Sequence, residues 1–420
     1  MGQTITEKIL AKHSGFKEVH PGEFIQSDVD IALSNDITSP LAIKQFKIMA
    51  GSSGKVFNKN KVAIVLDHFV PNKDILSAEQ SKFVRSFARE QKIKYLFDGC
   101  NAGIEHAILP EQGIVAPGDV VIGADSHTCT YGALGCFSTG VGSTDLAAVW
   151  YTGKVWLKVP ETIKVVFHGK LNKWVYGKDL IIYLIGKIGV DGANYKSLEF
   201  TGDTVKKLTM ADRFTMSNMA IEAGGKNGIF EPDNTTIQFV KSRVQSYKLY
   251  KSDSDCKYSS VIEIDCSKIH PQVAMPHLPS NAKNVRDVKN VSIDQAVIGS
   301  CTNGWIEDLR IAAKVLKNRK VNTNVRLLIF PATPAIYRQA IKEGLIDLFV
   351  KSGGIVCPPT CGPCLGGHLG ILAKGERCVA TTNRNFVGRM GHLESEVVLS
   401  NPAVAAASAI TGKLSSPEDI

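Results

Sequence analysis

The sequence contains no long hydrophobic run. Its apolar stretches fall well short of the ~20 consecutive apolar residues that a helix needs to cross a bilayer. Residues 2–15 show no secretory signal segment; there, Thr4 and Glu7 have the spacing of a capping box and predict the start of a helix. These absences argue against a membrane protein and against a secreted one. We therefore expect a cytoplasmic location and no membrane partner.

Concentrated charge is also missing. The formal net charge is +9, from 49 lysines and arginines against 40 aspartates and glutamates, but the lysines are scattered and no aromatic residues alternate with them. A nucleic-acid-binding surface is typically a compact basic patch. We interpret these lysines as a solvated surface and expect no nucleic-acid partner.

The remaining composition is that of an ordinary globular protein. The 420 residues are 44% hydrophobic and 21% charged, and a chain of this length is expected to form two or three domains. It contains ten cysteines. In the absence of a secretory segment, they indicate a reducing compartment and metal ligands or buried thiols, and argue against a disulfide framework.

Short apolar runs that end in polar residues recur along the chain. They contain few polar residues, which is typical of strands buried on both faces of a parallel sheet. Helical patterns lie between them, for example over 306–317 and over 77–90, where Ser77 and Gln80 predict a capping box. This alternation predicts a doubly wound α/β fold. The apolar runs with their polar ends are 61–70, 119–130, 295–303, 325–331 and 377–385.

The polar ends of these runs carry side chains suited to chemistry. In open α/β sheets, ligands bind beyond the carboxyl ends of the strands. We therefore expect these ends to face one cavity. They are Asp67-His68, Asp125-Ser126-His127, Cys301-Thr302-Asn303 and Asn383-Arg384-Asn385.

Three cysteines lie close together in the segment 356–368, VCPPTCGPCLGGH. Its prolines and glycines forbid a regular helix or strand, so Cys361 and Cys364 lie on an irregular loop where two thiolates can converge on a soft metal. Cys301, in the upstream GSCTNG, adds a third ligand. The Cys-x-x-Cys pair alone fits zinc, an iron–sulfur centre or a redox site. A structural zinc needs four protein ligands, whereas a cluster with three cysteines leaves one iron open.

The combination of GSCTNG at 299–304, CGPCLG at 361–366 and TTNRNFVGR at 381–389 resembles the aconitase superfamily. The similarity is to the large subunits of its two-subunit branch, which act on isopropylmalate or homocitrate, and it runs from about residue 5 to about residue 413. The resemblance implies three aconitase-like α/β domains with mostly parallel sheets around a central [4Fe–4S] site. We expect these domains at 1–158, 159–287 and 288–420, without the swivelling fourth domain of the superfamily.

The resemblance also implies the roles of particular residues. Cys301, Cys361 and Cys364 match the ligands of one [4Fe–4S] cluster per subunit, with one iron not bound by cysteine, and Cys357 has no ligand role. The matched catalytic residues are Asp67, His68, His106, Asp125, His127 and Glu222. The matched substrate-binding residues are Ser126, Asn218, Asn383, Arg384 and Arg389.

The implied activity is the dehydration and rehydration of a hydroxy di- or tricarboxylic acid. Nothing after Arg389 resembles the domain that carries the catalytic base of the superfamily. We therefore expect a small-subunit partner that supplies the swivelling domain and the base. Pro40 stands where mitochondrial-type aconitases have glutamine, which makes citrate a less suitable substrate. Trp305 and Tyr131 also depart from common residues of the branch.

Two other hypotheses remain open at this stage. One is an RNA-binding or regulatory protein with an aconitase fold, which the basic net charge allows. The other is a scaffold stabilised by zinc at the three cysteines.

Overall fold

The computed structural model describes residues 2–51, 53–288 and 290–420. Its strands are β1 (Phe24–Asp28), β2 (Ile31–Asn35), β3 (Val62–Val65), β4 (Tyr95–Phe97), β5 (Val120–Gly123), β6 (Phe137–Gly140), β7 (Lys154–Lys158), β8 (Thr162–His168), β9 (Ser197–Thr201), β10 (Asn227–Phe230), β11 (Ser260–Asp265), β12 (Gln272–Ala274), β13 (Ala282–Asn284), β14 (Gln295–Ile298), β15 (Arg326–Ile329), β16 (Ile355–Val356), β17 (Arg377–Ala380) and β18 (Glu396–Ser400).

The α-helices alternate with these strands. They are α1 (Ile5–Ser14), α2 (Ser39–Ala50), α3 (Ile75–Glu90), α4 (Glu105–Glu111), α5 (Ser143–Thr152), α6 (Gly177–Ile188), α7 (Met210–Asn218), α8 (Asn234–Val240), α9 (Ile306–Leu316), α10 (Pro334–Lys342), α11 (Leu345–Ser352) and α12 (Pro402–Thr411). Short 3-10 helices occur at Gly99–Asn101, Ser126–Leu134, Val205–Lys207, Met219–Ala223, Cys266–Lys268, Val285–Asp287 and Gly362–Leu365.

The first sheet has five strands in the order β4-β3-β2-β5-β6, and all neighbours are parallel. The chain moves outward from β2 to β3 and β4, then returns to the other side of β2 for β5 and β6. The direction of winding therefore reverses between β2 and β5, which is the position at which a doubly wound sheet opens a crevice for ligands.

The second and third sheets are wound in the same way. The second sheet, in the order β10-β9-β8-β11, is parallel throughout. The third has the order β13-β12-β18-β17-β14-β15-β16, and its strands are parallel except for the antiparallel pairs made by β12. Its winding reverses between β14 and β17. A separate antiparallel ribbon is formed by β1 and β7.

Buried apolar side chains join the sheets to one another. One core cluster contains Leu33 of the first sheet together with Ile298 of the third, and a second contains Phe200 of the second sheet together with Val297 of the third. A third cluster lies beneath the first sheet around Trp150. Because the sheets share cores, the loops at their strand ends are held in fixed positions relative to one another.

The α/β fold predicted from the apolar runs is confirmed, since each of the five runs contains a strand. The capping box of Thr4 and Glu7 is also confirmed, because each side chain accepts a hydrogen bond from the other residue's amide. The predicted N-cap at Ser77 is wrong. Asp74 caps α3 and Ser77 is the third helical residue, because the Asp74 carboxylate accepts the Ser77 amide at 2.7 Å.

The proposed domain boundaries at 158/159 and 287/288 stay a prediction; β12 and β13, which precede residue 288, pair within the third sheet. Across the described ranges 2–51, 53–288 and 290–420, the helices lack the combination of length and apolar character that crossing a bilayer requires.

Candidate active site

The predicted site residues gather where the first and third sheets end. Asp67 and His68 follow β3, Asp125 follows β5, and Cys301 and Asn383 follow β14 and β17. The last two strands flank the winding reversal of the third sheet. Parallel strands present their carboxyl ends at one edge, so short loops of distant sequence converge here.

The imidazole of His68 is held by two buried carboxylates. Its Nδ1 donates a 2.7 Å hydrogen bond to Asp67 Oδ1, and it also lies 3.5 Å from Asp36 Oδ1. Asp36 in turn accepts the backbone amides of His68 and Phe69 at 3.0 and 2.8 Å. Burial alone would lower the pKa of His68, but the charge of Asp67 and the hydrogen bonds to both carboxylates raise it well above its usual value. His68 is therefore arranged as a cation.

His106 and His127 share a second carboxylate. The Nε2 of His106 donates to Asp125 Oδ1 at 2.9 Å, and the backbone amide of His127 donates to the same oxygen at 2.8 Å. The Nδ1 of His106 lies 3.2 Å from the hydroxyl of Tyr131. Burial opposes the ionisation of Asp125, yet the hydrogen bonds from the two histidines hold its pKa well below its usual range.

The other side of His127 meets a buried ion pair. Its Nε2 donates to Glu222 Oε1 at 2.9 Å, and the Nε of Arg384 donates to that oxygen at 2.7 Å. Glu222 lies on the 3-10 helix that follows α7 and is 3% exposed. The pKa of Glu222 is lowered because hydrogen bonding and charge from His127 and Arg384 outweigh its burial. The second sheet thus contributes to the site through the helices packed on it.

Asn383 links the cysteines to one another and to α7. Its Nδ2 donates to Cys301 Sγ at 3.1 Å and to Asn218 Oδ1 at 2.9 Å, and its Oδ1 lies 3.7 Å from Cys364 Sγ. Asn218 at the end of α7 is itself held by Thr130, whose hydroxyl accepts its amide at 2.8 Å. One asparagine side chain therefore contacts two of the three predicted sulfur ligands.

The cysteine pair on the irregular loop has unequal acidity. The Cys364 thiol contacts that of Cys361, and the Nη2 of Arg389 lies 3.8 Å from Cys364 Sγ. The hydrogen bond from Cys361, together with the charge of Arg389, outweighs burial and holds the pKa of Cys364 well below its usual range. A thiolate is the form of cysteine that binds metal, and the environment of Cys364 favours it. The hydrogen bond to Cys364 and burial raise the pKa of Cys361, and burial raises the pKa of Cys301.

The donor set fits a centre larger than one ion. Among residues 2–51, 53–288 and 290–420, the groups of three possible ligands whose atoms all lie within 4.8 Å of one another are Asp36-Asp67-His68 and His68-Glu105-Asp125. The three cysteines do not form such a group. A tetrahedral zinc would need its sulfur ligands about 3.8 Å apart, from a Zn–S distance of about 2.3 Å. Cys301, Cys361 and Cys364, all buried, could instead hold a cluster in which each sulfur binds a different iron.

Lys178 of α6 ties two of the loops together. It is fully buried, and its Nζ donates to the carbonyls of Thr381 and Thr382 at 2.7 Å each and to the hydroxyl of Thr302 at 3.2 Å. Burial lowers the pKa of Lys178 to about 7. The loops that carry Cys301 and Asn383 are therefore joined through one amino group.

A narrow cleft with a cavity volume of about 20 Å³ separates these groups. Nine of the predicted residues line it, together with Ile104 and Glu105. The nine are Asp67, His68, His106, Asp125, His127, Cys301, Cys361, Cys364 and Arg389. Asn218, Glu222, Asn383 and Arg384 support this lining from behind, whereas Ser126 lines a larger neighbouring cleft.

The two predicted clamp arginines differ in their surroundings. Arg384 is paired with Glu222, whereas the Nε of Arg389 is buried and has no hydrogen-bond partner among the residues described. The sequence interpretation gave no role to Asp36, Glu105 or Lys178. Asp36 follows β2 in the same pattern as the other strand ends, so that pattern could have identified it; Lys178 and Glu105 carry no such signal.

Comparison with known proteins identifies the family. Residues 7–291 and 281–412 match the Aconitase family (aconitate hydratase). The chain belongs to the aconitase family. This confirms the resemblance that three short motifs indicated, and it agrees with an α/β architecture of mostly parallel sheets.

Similar aconitase-family chains span the whole length. The 3-isopropylmalate dehydratase large subunit of Endomicrobium trichonymphae is 66% identical over 422 residues, covering 100% of both chains. Its counterpart in Syntrophus aciditrophicus is 63% identical with the same coverage, and large subunit 1 of Pyrococcus furiosus is 60% identical over 100% of this chain and 99% of its own. The solved structure of Thermococcus kodakaraensis aconitase X (holo-form) has 14% identity and a TM-score of 0.49, over 85% of this chain and 84% of that chain.

Proposed function

We propose that the chain is the large subunit of a 3-isopropylmalate dehydratase, a hydro-lyase that interconverts 2-isopropylmalate and 3-isopropylmalate by removing water and adding it back. The observation that carries the proposal is the 60–66% identity to large subunits of that name over their full or nearly full length. These names favour isopropylmalate over homocitrate and give no support to the RNA-binding alternative. The cytoplasmic location stays part of the proposal.

Cys301, Cys361 and Cys364 are proposed to hold one [4Fe–4S] cluster in which one iron has no cysteine ligand. When bound, such a cluster supplies a Lewis acid that makes the substrate hydroxyl a better leaving group. Three observations support this assignment: the burial of all three thiols, the low pKa of Cys364, and the N–H groups of Asn383 and Arg389 directed at sulfur. A zinc scaffold is disfavoured by the spacing of the sulfurs.

The histidines are proposed to hold and move the proton that accompanies the hydroxyl group. His68 is oriented by Asp67, His106 by Asp125 and His127 by Glu222. Imidazoles fixed by carboxylates are effective general acids because their tautomer and direction are set before substrate binds. Glu222 is proposed to keep His127 in place from behind the cleft.

Arginine and polar side chains are proposed to bind the acid. Removing a proton next to a carboxylate builds negative charge on that carboxylate, and a guanidinium group stabilises it. Arg389 suits this role because its Nε is buried, lacks a partner in the described chain and belongs to the lining of the cleft. Arg384, Ser126, Asn218 and Asn383 complete the proposed substrate-binding set.

A small subunit is proposed as the partner. The resemblance to the aconitase superfamily identified no residue of this chain as the base that removes the C–H proton. In addition, the relatives are named large subunits, which implies a second polypeptide. We propose that this subunit carries the swivelling domain and the base, and that it covers the cleft.

The experiment uses the full chain, loaded anaerobically with iron and sulfide and mixed with the small subunit. Absorbance of the unsaturated acid is followed with isopropylmalate, homocitrate and citrate as substrates. We expect turnover of isopropylmalate by the complex and none by the large chain alone. Turnover of homocitrate alone would contradict isopropylmalate as the substrate. No turnover of any of the three acids would overturn the proposed function.

Iron and labile sulfide contents test the cofactor separately. The variant Cys301→Ser is expected to lose bound iron, whereas Cys378→Ser is a matched control because Cys378 is also fully buried but lies within β17. Equal iron in both variants, or zinc in place of iron in the wild type, would contradict the cluster. RNA retardation that persists in Cys301→Ser would favour the RNA-binding alternative.

A further inference from the structure

Glu105 is a buried residue in the lining of the cleft, and its carboxyl group has no role in the proposed function. It is the first residue of α4 and is 2% exposed. Its backbone amide donates to Asp67 Oδ2 at 2.8 Å, which fixes the start of the helix against the loop after β3. One of its oxygens, a ring nitrogen of His68 and an oxygen of Asp125 lie within 4.8 Å of one another. Glu105 therefore sits between the two imidazole–carboxylate groups.

Its two oxygens have different environments. Oε1 accepts a 3.0 Å hydrogen bond from the Nδ2 of Asn35. The orientation of Asn35 is set, because its Oδ1 accepts the amides of Ile37 and Thr38 and the hydroxyl of Thr38 at 3.0 to 3.1 Å. Oε1 is thus an acceptor. Oε2 is buried and has no hydrogen-bond partner among the described residues.

The charges around Glu105 favour its neutral form. Asp67 faces it from the loop after β3 and Asp125 from the loop after β5, while the Nε2 of His106 lies 3.5 Å from Oε1 but closer to Asp125, at 2.9 Å. The charge of His68 acts in the opposite direction, but His68 is engaged by its own carboxylates. Burial, followed by the charges of Asp125 and Asp67, raises the pKa of Glu105 well above its usual value.

A neutral carboxyl group carries one proton, and the hydrogen bond from Asn35 to Oε1 leaves that proton on Oε2. An unpaired buried donor costs free energy unless a ligand accepts its hydrogen bond. The hydroxyl and carboxylate oxygens of a hydroxy acid are suitable acceptors. The cleft that Glu105 lines is also where the proposed substrate binds.

We propose that Glu105 is a substrate-binding residue whose neutral carboxyl group donates a hydrogen bond from Oε2 to an oxygen of the bound hydroxy acid. The inference rests on the proposed function, since it takes the substrate from there. Glu105 would thus add one hydrogen-bond donor to those that the predicted residues supply to the cleft.

The test compares three variants in the loaded large–small complex. Glu105→Gln keeps an N–H donor, Glu105→Leu removes it at similar volume, and Glu111→Gln changes a carboxyl of the same helix whose Oε1 accepts the Thr333 hydroxyl at 2.6 Å outside the cleft. We expect Glu105→Leu to raise KM about ten- to a hundredfold, which is the range for losing one buried hydrogen bond. Glu105→Gln and Glu111→Gln should stay within a few-fold of wild type.

A wild-type KM in Glu105→Leu would overturn the proposal. An equal increase of KM in Glu105→Gln and Glu105→Leu would also overturn it, because both variants remove a carboxyl group whose role would then be structural. If the wild-type complex itself turns over no hydroxy acid, the proposed function fails instead, and this inference fails with it.

Infrared difference spectra give a readout that does not depend on turnover. The protonated carboxyl band of the wild type is expected to shift when isopropylmalate is added and to be missing in Glu105→Gln. Identical spectra of wild type and Glu105→Gln in that region would show that Glu105 is ionised and would overturn the proposal, even if Glu105→Leu does not fold.

Discussion

The backbone amide of Cys361 donates a 2.8 Å hydrogen bond to the backbone carbonyl of Asp67. The hydroxyl of the buried residue Thr360 donates to the same carbonyl at 2.6 Å. Since Asp67 also orients His68, the loop with two proposed sulfur ligands and the loop with a proposed proton donor are held together by one peptide group.

Thr360→Val tests the contact between these two loops. The substitution removes one of the two hydrogen bonds to the Asp67 carbonyl with little change in side-chain volume. We expect a loss of about 1 kcal/mol in the free energy of unfolding, the usual value for one such bond. Iron should also leave the loaded protein faster when a chelator is added. Thr215→Val is the matched control, because Thr215 is equally buried but its hydroxyl has no partner in the described residues. Equal iron release from both variants would contradict the prediction.

Arg384→Lys tests the ion pair behind His127. Lysine cannot reproduce the directed Nε–H that reaches Glu222 at 2.7 Å, so both Glu222 and His127 lose orientation. We expect kcat/KM of the complex to fall by about 100-fold, the order found for removing one directed electrostatic contact. Arg377→Lys is the control, since Arg377 pairs with Glu396 through its Nε at 2.6 Å in the third sheet. Similar losses in both variants would indicate a general effect of the substitution.

Lys178→Met tests the buried amino group that joins two loops of the site. The substitution removes the amino donor to the carbonyls of Thr381 and Thr382, although Thr381 still accepts the Thr302 hydroxyl at 2.6 Å, and we expect a loss of about 3 kcal/mol in stability. Lys187→Met on the same helix is the control, because Lys187 is exposed and its amino group donates to the carbonyl of Glu263. The midpoint of urea unfolding measures the effect. Unchanged midpoints in Lys178→Met would show that the loops keep their positions without it.

Acid is expected to weaken the docking of α1 on the first sheet. Asp30 Oδ2 accepts the Nε2 of His13 at 2.7 Å and the amide of Val120 at 3.0 Å. Burial opposes ionisation, but these hydrogen bonds and the charges of His13 and Lys61 lower the pKa of Asp30 to about 2, from an ordinary 3.8.

Because the pKa of Asp30 is lowered, its contribution to the stability of the folded chain decreases in acid. The ionisation of Asp30 contributes its full stabilisation above about pH 4, and this contribution, about 2 kcal/mol, is lost as the pH falls from 4 to 2. The pKa of His13 is raised, so its own contribution is present below its ordinary pKa of 6.5 and is lost at higher pH. Thermal midpoints of wild type and Asp30→Asn should therefore converge on acidification. A constant difference from pH 4 to pH 2 would contradict the prediction.

Much of the proposed site could be predicted because its candidate residues lie in short segments. Residues at the ends of buried apolar runs, such as His68 after β3 and Asp125 after β5, were identified from local pattern, and the Cys-x-x-Cys spacing was visible directly. The support of the site was not predictable. Asn383 reaches Cys301 and Asn218, and neither contact has a local signal.

The sequence by itself determined which segments form buried strands, which loops carry thiols, imidazoles and guanidinium groups, and the family to which the chain belongs. These properties follow from residue type and spacing within some ten residues. The tertiary structure alone decided which carboxylate orients each histidine, which neighbours lower the pKa of Cys364, and that Oε1 of Glu105 has a hydrogen-bond donor whereas Oε2 has no partner among the described residues. Such properties depend on burial and on partners brought from distant strands, because the pKa of a group and the saturation of its hydrogen bonds are set by its neighbours in space.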